Sequence, residues 1–292
     1  MSRKQEWWSV PMPHRTWSLD QLYAYEELHH ELPLPYRYWL RLLQQQGVRV
    51  SGNRVWLQLF PAESSSFLPE VGELEVSYED EFCLVVNKPP EMSVHPQELT
   101  GTGSLANLVT YYYMTTNQFC AIRHIHRLDQ DTTGAVLYAK NEYAHILLDQ
   151  AMREKHIKRS YVALVQGTVK PNEGTITQPI GRDRHHAYKR RVSSHGDAAT
   201  THYRVIERCR SASLVQLELD TGRTHQIRVH LSHIGHPIVG DSLYGGSTEY
   251  MNRQALHAEQ LKFQHPLTLE HISIHIAWPM DMRNAWTSLK LH

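Results

Sequence analysis

The chain is 292 residues long and 41% hydrophobic, enough for one large domain with an appendage or for two modest ones. Thirty Lys and Arg balance thirty Asp and Glu, and the pI is near 7.4; a partner held by bulk charge is excluded, so any polyanion must meet a local patch. Three scattered cysteines, Cys83, Cys120 and Cys209, form no C-x-x-C and suit a reducing compartment, while the absence of a long apolar run leaves a soluble, cytoplasmic reading with no membrane partner.

The first thirty residues show no readable pattern. Residues 38–43 read as a short helix, and residues 47–55 as two short strands around a Ser51-Gly52-Asn53 turn, a small βαβ-like unit. Between Val55 and Asn87 there is no Lys or Arg, whereas Glu63, Glu70, Glu73, Glu75, Glu79, Asp80 and Glu81 fall there beside three consecutive serines. This shift marks a seam between an N-terminal module, residues 1–75, and a main body, residues 76–292.

Beyond the seam, residues 82–86 form an apolar run halted by Pro89 and Pro90, a buried strand ending in a loop. Ser104 can cap a helix that presents Leu105, Leu108, Val109 and Tyr112, and Asn141 another that presents Ala144, Leu147, Leu148, Ala151 and Met152. Strands are expected at 161–166 and 201–207, then at Val215, Leu217 and Leu219, and at Ile272, Ile274 and Ile276, where apolar and polar residues alternate. Alternation of this kind predicts one covered and one wetter face, so the class is α+β with a large mixed, mainly antiparallel sheet.

Residues 126–134, His-Arg-Leu-Asp-Gln-Asp-Thr-Thr-Gly, place Arg127, Asp129 and Asp131 on a loop that leads into a strand at Gly134. Such a loop can carry reactive groups on a rigid scaffold, or its Asp and Thr side chains can simply bind neighbouring backbone. Alone, the nonapeptide leaves both readings open. A second segment, residues 220–231, turns at Gly222 and enters a helix that Thr224 can cap and Gly235 can close. On that helix Thr224, Ile227, Arg228 and Leu231 share a face. An arginine set between apolar neighbours needs a carboxylate partner, and Asp129 is the candidate.

These segments together closely resemble the signatures of the RluA-type pseudouridine synthases. The resemblance is carried by His126-Arg127-Leu128-Asp129 with Thr132-Thr133-Gly134, by residues 222–231 with 235–241 and Tyr244-Gly245, and by three further ordered motifs. Those are Val86-Asn87-Lys88-Pro89 with Val94-His95-Pro96, Lys158-Arg159-Ser160-Tyr161-Val162-Ala163, and Leu256-His257-Ala258 ahead of Phe263 and His265-Pro266, so the match spans residues 78–292. It implies the pseudouridine synthase fold and isomerisation of uridine to pseudouridine in ribosomal or transfer RNA, without cofactor or metal. Asp129 falls at the family's nucleophile, and an ionised carboxylate can trap an oxocarbenium-like sugar or add to the base. Arg228 would keep Asp129 charged and oriented. Tyr161 would stack on the base and assist the proton step at C5, Leu231 would wall the pocket against water, and Arg127 would hold the RNA open around the extruded nucleotide.

RNA also needs a surface. Lys155, Lys158 and Arg159 precede a second cluster, Arg182, Arg184, Lys189, Arg190 and Arg191, interleaved with His185, His186 and Tyr188. In company with the motifs this run reads as a phosphate-gripping loop with Tyr188 available for stacking. The N-terminal unit resembles a degraded S4 RNA-binding module that lacks most of the basic residues expected there. Glu91 stands where the family usually has glycine, which can mark a different backbone path, and Thr133 where serine is common. No feature implies an obligate protein partner, and a monomer is the default.

Other readings fare worse. His225, His230, His233 and His236 lie close in sequence but form no tight ligand set on one helix face, and no H-E-x-x-H occurs. Gly101-Thr102-Gly103-Ser104 imitates a dinucleotide loop, yet residues 97–100 are no buried strand. A glycoside hydrolase pairing Asp129 with Asp131 has no room for a sugar between them. The alternative from another class is an RNA-binding protein that keeps the fold without catalysis, against which Asp129, Tyr161 and Arg228 all stand intact.

Overall fold

Short alternating runs before the seam become a four-stranded antiparallel sheet. In the computed structural model, which describes residues 2–11, 28, 29, 32–98 and 100–291, its strands are β1 (Ser2–Lys4), β2 (Trp7–Pro11), β3 (Val48–Ser51) and β4 (Arg54–Leu57), in the order β1-β2-β4-β3. Helix α1 (Tyr36–Gln44) precedes β3. The hairpin of β1 and β2 lies in the stretch without readable pattern, so the unit is an antiparallel sheet with a helix rather than a βαβ unit. Residues 12–27, 30, 31 and 99, the last in the segment ahead of Gly101, lie outside the described residues.

The main body is built on β5 (Glu75–Glu79), β6 (Cys83–Lys88), β7 (Thr133–Ala139), β8 (Lys158–Gln166), β9 (Glu173–Ile176), β12 (Thr201–Arg208), β13 (Ala212–Leu219), β14 (Leu256–Gln264) and β15 (His271–His275). They form one nine-stranded sheet, β5-β6-β7-β14-β8-β13-β12-β9, with β15 beside β14. Every pairing is antiparallel except β14 with β7, through His257 opposite Thr133 and Ala258 opposite Gly134. At that crossing a Cβ on Gly134, whose φ is +111°, would stand 2.3 Å from the Ala258 carbonyl oxygen, so only glycine lets the two strands close. Strands β10 (Ile180–Arg182) and β11 (Arg190–Val192) form a separate hairpin.

Helices flank the sheet where their caps predict. Helix α2 (Leu105–Thr115) starts at Ser104, whose backbone N–H donates to Asn107 Oδ1 at 3.1 Å; α3 (Glu142–Arg153) starts at Asn141, whose side chain accepts from Ala144 N at 2.8 Å. Helix α4 (Gln226–His233) and α5 (Met280–Leu291) follow. One sheet face packs Val86, Val136 and Tyr138 with Tyr161, Ile227 and Leu231. The other packs Val85, Leu137 and Tyr143 together with Trp8, Val10, Trp39 and Leu57 of the N-terminal module. Among the described residues no helix is long and apolar enough to cross a membrane.

Candidate active site

The loop that carries Asp129 runs into β7 and is held through its backbone. Lys88, at the end of β6, is fully buried and donates to the carbonyls of Pro89, Met92 and Gln130, each at 2.7 Å. Burial pulls its pKa down to about 7, against Asp131 and Asp129 nearby; three carbonyls match the three donors of the ammonium form. Arg253 donates to the Asp131 carbonyl at 2.9 Å and is fixed in turn by a two-point pair with Asp281. Thr132 N closes a turn on the Asp129 carbonyl at 3.1 Å. Two buried cations thus pin the carbonyls that follow Asp129, which leaves its carboxylate one-fifth exposed over open space.

Opposite it, helix α4 presents Arg228. Its N-cap is His225, in the left-handed conformation with φ of 57°, rather than Thr224. The turn before the helix is tied instead by Gln226, whose Oε1 accepts from Thr221 Oγ1 and Arg223 N while its Nε2 donates to Thr200 O and Thr201 Oγ1, all at 2.8–3.0 Å. Gly235, with φ of +84°, closes the helix as its position predicts. Arg228 reaches Asp129 at 3.3 Å through Nη1, but its main partner is Asp241: Nε and Nη2 donate to the two Asp241 oxygens at 2.7 and 2.9 Å. Asp241 is 2% exposed. Burial works against the Arg228 cation, but these bonds outweigh it and hold the guanidinium firmly protonated. Its face lies 4.9 Å from the Tyr244 ring centroid. The Tyr244 hydroxyl accepts from Arg190 N and donates to His225 Nδ1, both at 2.9 Å, which fits an imidazole kept neutral by burial. The Asp129–Arg228 pairing expected from the sequence is present; the stronger carboxylate partner, Asp241, was in a recognised motif without an assigned role.

Two cavities, of about 470 and 660 Å³, adjoin at this pair: Arg127, Leu128, Asp129, His225 and Arg228 line both. Tyr161, buried on β8, and Arg159 line the first; burial raises the Tyr161 phenol above its ordinary range, with Arg159 opposing. Arg127 is exposed at the shared wall. Leu231, expected to wall the pocket, lines neither cavity and lies in the core with Tyr161 and Ile227; the apolar lining of the first cavity includes Ile227, Leu128 and Leu256. In the β10–β11 hairpin Arg182 pairs across to Arg190. Arg182 and Arg184 are exposed outside both linings, Lys189 sits 5.5 Å from the Tyr244 ring centroid, and Tyr188 lines the second cavity. Glu91 has a φ of 59°, in the left-handed region that suits glycine, and its N–H donates to Asp131 Oδ1 at 3.2 Å.

Three of the clustered histidines, His225, His230 and His236, are taken up by hydrogen bonds. His230 bonds Thr201 Oγ1 and the Gln178 carbonyl, and His236 the Gln166 carbonyl. Asp80, Cys83 and His265 lie close enough together to suggest a metal site, but both Asp80 oxygens and both His265 nitrogens already have protein partners.

Comparison with known proteins agrees with the signatures. Residues 82–233 match the model of the RNA pseudouridylate synthase family. The uncharacterized RNA pseudouridine synthase YhcT of Bacillus subtilis is 49% identical over 235 residues, 80% of this chain and 78% of that one. Ribosomal large subunit pseudouridine synthase D of Haemophilus ducreyi is 37% identical over 262 residues, 84% and 79% of the two chains. The structure of human RNA pseudouridylate synthase domain containing 1 superposes with a TM-score of 0.59 at 29% identity, covering 71% of this chain and 86% of that one. With these motifs on this fold, the chain belongs to the RluA-type RNA pseudouridine synthases, isomerases of uridine in RNA.

Proposed function

We propose that the protein converts particular uridines of structured ribosomal or transfer RNA to pseudouridine, with Asp129 as nucleophile and the target base turned out of the helix into the cleft. The observation that carries this reading is the Asp129–Arg228 contact of 3.3 Å in the wall shared by the two cavities. A carboxylate oriented by a buried guanidinium points at open space and is free to attack C1′ of the ribose or to add to the base. Exchange of the N1–C1′ bond for a C5–C1′ bond, with loss of one proton at C5 and gain of one at N1, is redox-neutral overall. No oxidant or reductant is therefore needed.

Each neighbour has a task in this reading. Tyr161 stacks against the detached base and serves the C5 proton, and its raised pKa keeps it a neutral donor and acceptor. Ile227, backed by Leu231, keeps water from the sugar. Arg127 supports the RNA where the nucleotide leaves its stack. Arg182, Arg184, Lys189 and Arg190 grip phosphates from the hairpin beside the second cavity. The protein acts as a cytoplasmic monomer.

Tritium placed at uracil C5 must be expelled when the new bond forms. The protein is incubated separately with ribosomal and transfer RNA so labelled, taken from cells lacking this gene. Release from one pool is the expected result and names the RNA class; release from neither overturns the substrate assignment.

A further inference from the structure

Four polar side chains line both cavities: Arg127, Asp129, His225 and Arg228. Three of them have tasks in the reading above, and His225 has none. It sits in the turn between β13 and α4 with a φ of 57°, a strained conformation for a residue with a Cβ. The turn holds it there from both sides. Gln226 ties Thr221 and Arg223 to Thr200 and Thr201, and the His225 carbonyl accepts the first bond of the helix, from Val229 N at 2.9 Å.

The imidazole is fixed as firmly as its backbone. Tyr244 stands edge-on to it, with ring centroids 5.7 Å apart and planes at 84°, and donates its hydroxyl proton to Nδ1 at 2.9 Å. Arg190 N donates to the same hydroxyl, which leaves the hydroxyl's own proton for the imidazole. Burial keeps the ring neutral against the pull of Asp129. A neutral imidazole that accepts at Nδ1 carries its one proton on Nε2. Among the described residues nothing accepts from Nε2, and the atom is not sealed from solvent. The cleft thus holds one neutral N–H donor that the fold positions and does not use.

We propose that His225 is a further catalytic residue of this site, whose Nε2–H donates to a carbonyl oxygen of the target uracil as negative charge collects there. The inference rests on uridine isomerisation being the reaction. Rupture of N1–C1′ leaves its electron pair on the base, shared among N1, O2 and O4, and addition of Asp129 to the base sends a pair to O4. Either path loads a carbonyl oxygen, and a fixed donor stabilises that oxygen more than it does the ground-state carbonyl. Turning the base about the line from N3 to C6 exchanges N1 with C5 and O2 with O4. The same donor therefore meets a carbonyl before and after the turn. The pair then forms C5–C1′, the C5 hydrogen leaves as a proton, N1 takes one up, and His225 ends as it began. With its proton on Nε2 the ring has no lone pair for the cleft, so it is a donor and not the base that removes the C5 proton. A phosphate is better met by the cations of the rim, Arg127 and Lys155, than by a neutral donor beside the Asp129 carboxylate.

The test is single-turnover tritium release from C5-labelled ribosomal and transfer RNA by full-length wild type, His225→Leu and His225→Gln, with RNA affinity and unfolding midpoint measured for each. Both variants lose the bond from Tyr244 and keep a Cβ, so they share whatever the turn loses. Only glutamine restores an N–H within reach of the Nε2 position. His225→Leu is expected to slow release at saturating RNA by about 10²–10³-fold, the effect of removing one such donor, with affinity within about threefold of wild type. His225→Gln is expected to release at least about tenfold faster than His225→Leu at the same midpoint. Release by His225→Leu at the wild-type rate overturns the proposal, as does a glutamine variant no faster than the leucine one. Imidazole ¹⁵N NMR of the free protein checks the donor itself: the signals that vanish in His225→Gln should report a proton on Nε2, and a proton on Nδ1 overturns the proposal as well. Wild type separates the two readings. Equal release by wild type and His225→Leu sinks the donor alone, and no release by wild type from either pool sinks the isomerase assignment and this task of His225 with it.

Discussion

A guanidinium buried between two carboxylates, as at Arg228, is stable only while both charges are answered. Asp241 answers with two hydrogen bonds from a position 2% exposed, and Asp129 with one from the rim of a cavity. This division of labour separates structure from chemistry: Asp241 fixes the arginine, and the arginine fixes Asp129. Asp241→Ala should therefore destabilise the protein by about 3–5 kcal/mol, the usual cost of leaving one member of a buried pair unanswered, and denaturant unfolding measures it. Glu91 shows the opposite case. Its φ of 59° places a side chain in the left-handed region, which costs a non-glycine residue roughly 1 kcal/mol. Glu91→Gly should raise stability by about that amount in the same assay, and an unchanged or lower midpoint would mean that the glutamate makes a compensating contact.

Elements whose signals are local were legible from the sequence. Ser104 and Asn141 cap their helices, and strand-like runs place β8 and β12, and alternation β13 and β15, within a few residues. Less was visible where tertiary contact decides. Short strands β9, β10 and β11 have too few residues to show a period, and α5 has no cap side chain to announce it. Helix α4 starts at His225 because Tyr244 and the Gln226 side chain shape its entry, so the Thr224 cap expected from residue type does not form. The Asp129–Arg228 contact was legible because a buried arginine demands a carboxylate. Asp241, Lys88 and Arg253 could not be ranked without knowing which loops meet. The turn between β5 and β6 joins the β14–β15 turn in the same way, through Asp80 and His265 at 2.9 Å. Burial raises the Asp80 pKa, but hydrogen bonds from His265, Tyr78 and the Cys83 and Phe82 N–H groups outweigh it and bring it to about 2. A carboxylate depressed on folding contributes stability above its unfolded pKa and loses it as pH falls. Asp80→Asn should cost roughly 2 kcal/mol at pH 7, and the gap between variant and wild type should close between about pH 4 and 2. A gap independent of pH would show that the Asp80 charge contributes nothing.

Across the whole molecule, the N-terminal module and the main body share apolar core. Trp8 meets Phe82 edge-on at 5.3 Å, Phe82 meets Tyr143 at 6.1 Å, and Tyr143 meets Tyr38 at 6.2 Å, so an aromatic chain crosses the seam twice. A shared core predicts one cooperative transition: tryptophan fluorescence and far-UV circular dichroism should give coincident unfolding curves. Trp8→Ala should lower the common midpoint, at a cost of about 3–5 kcal/mol, whereas two separated transitions would mean that the module unfolds alone. The assembled molecule then presents Asp129 to a cleft walled by Tyr161, Arg127 and Arg228, and everything proposed for its chemistry turns on that carboxylate. The direct measurement is tritium release from C5-labelled RNA by Asp129→Asn, side by side with its RNA affinity. Turnover should fall by about 10⁴-fold or more with RNA still bound as tightly as by wild type; release at the wild-type rate would mean that Asp129 is not the nucleophile.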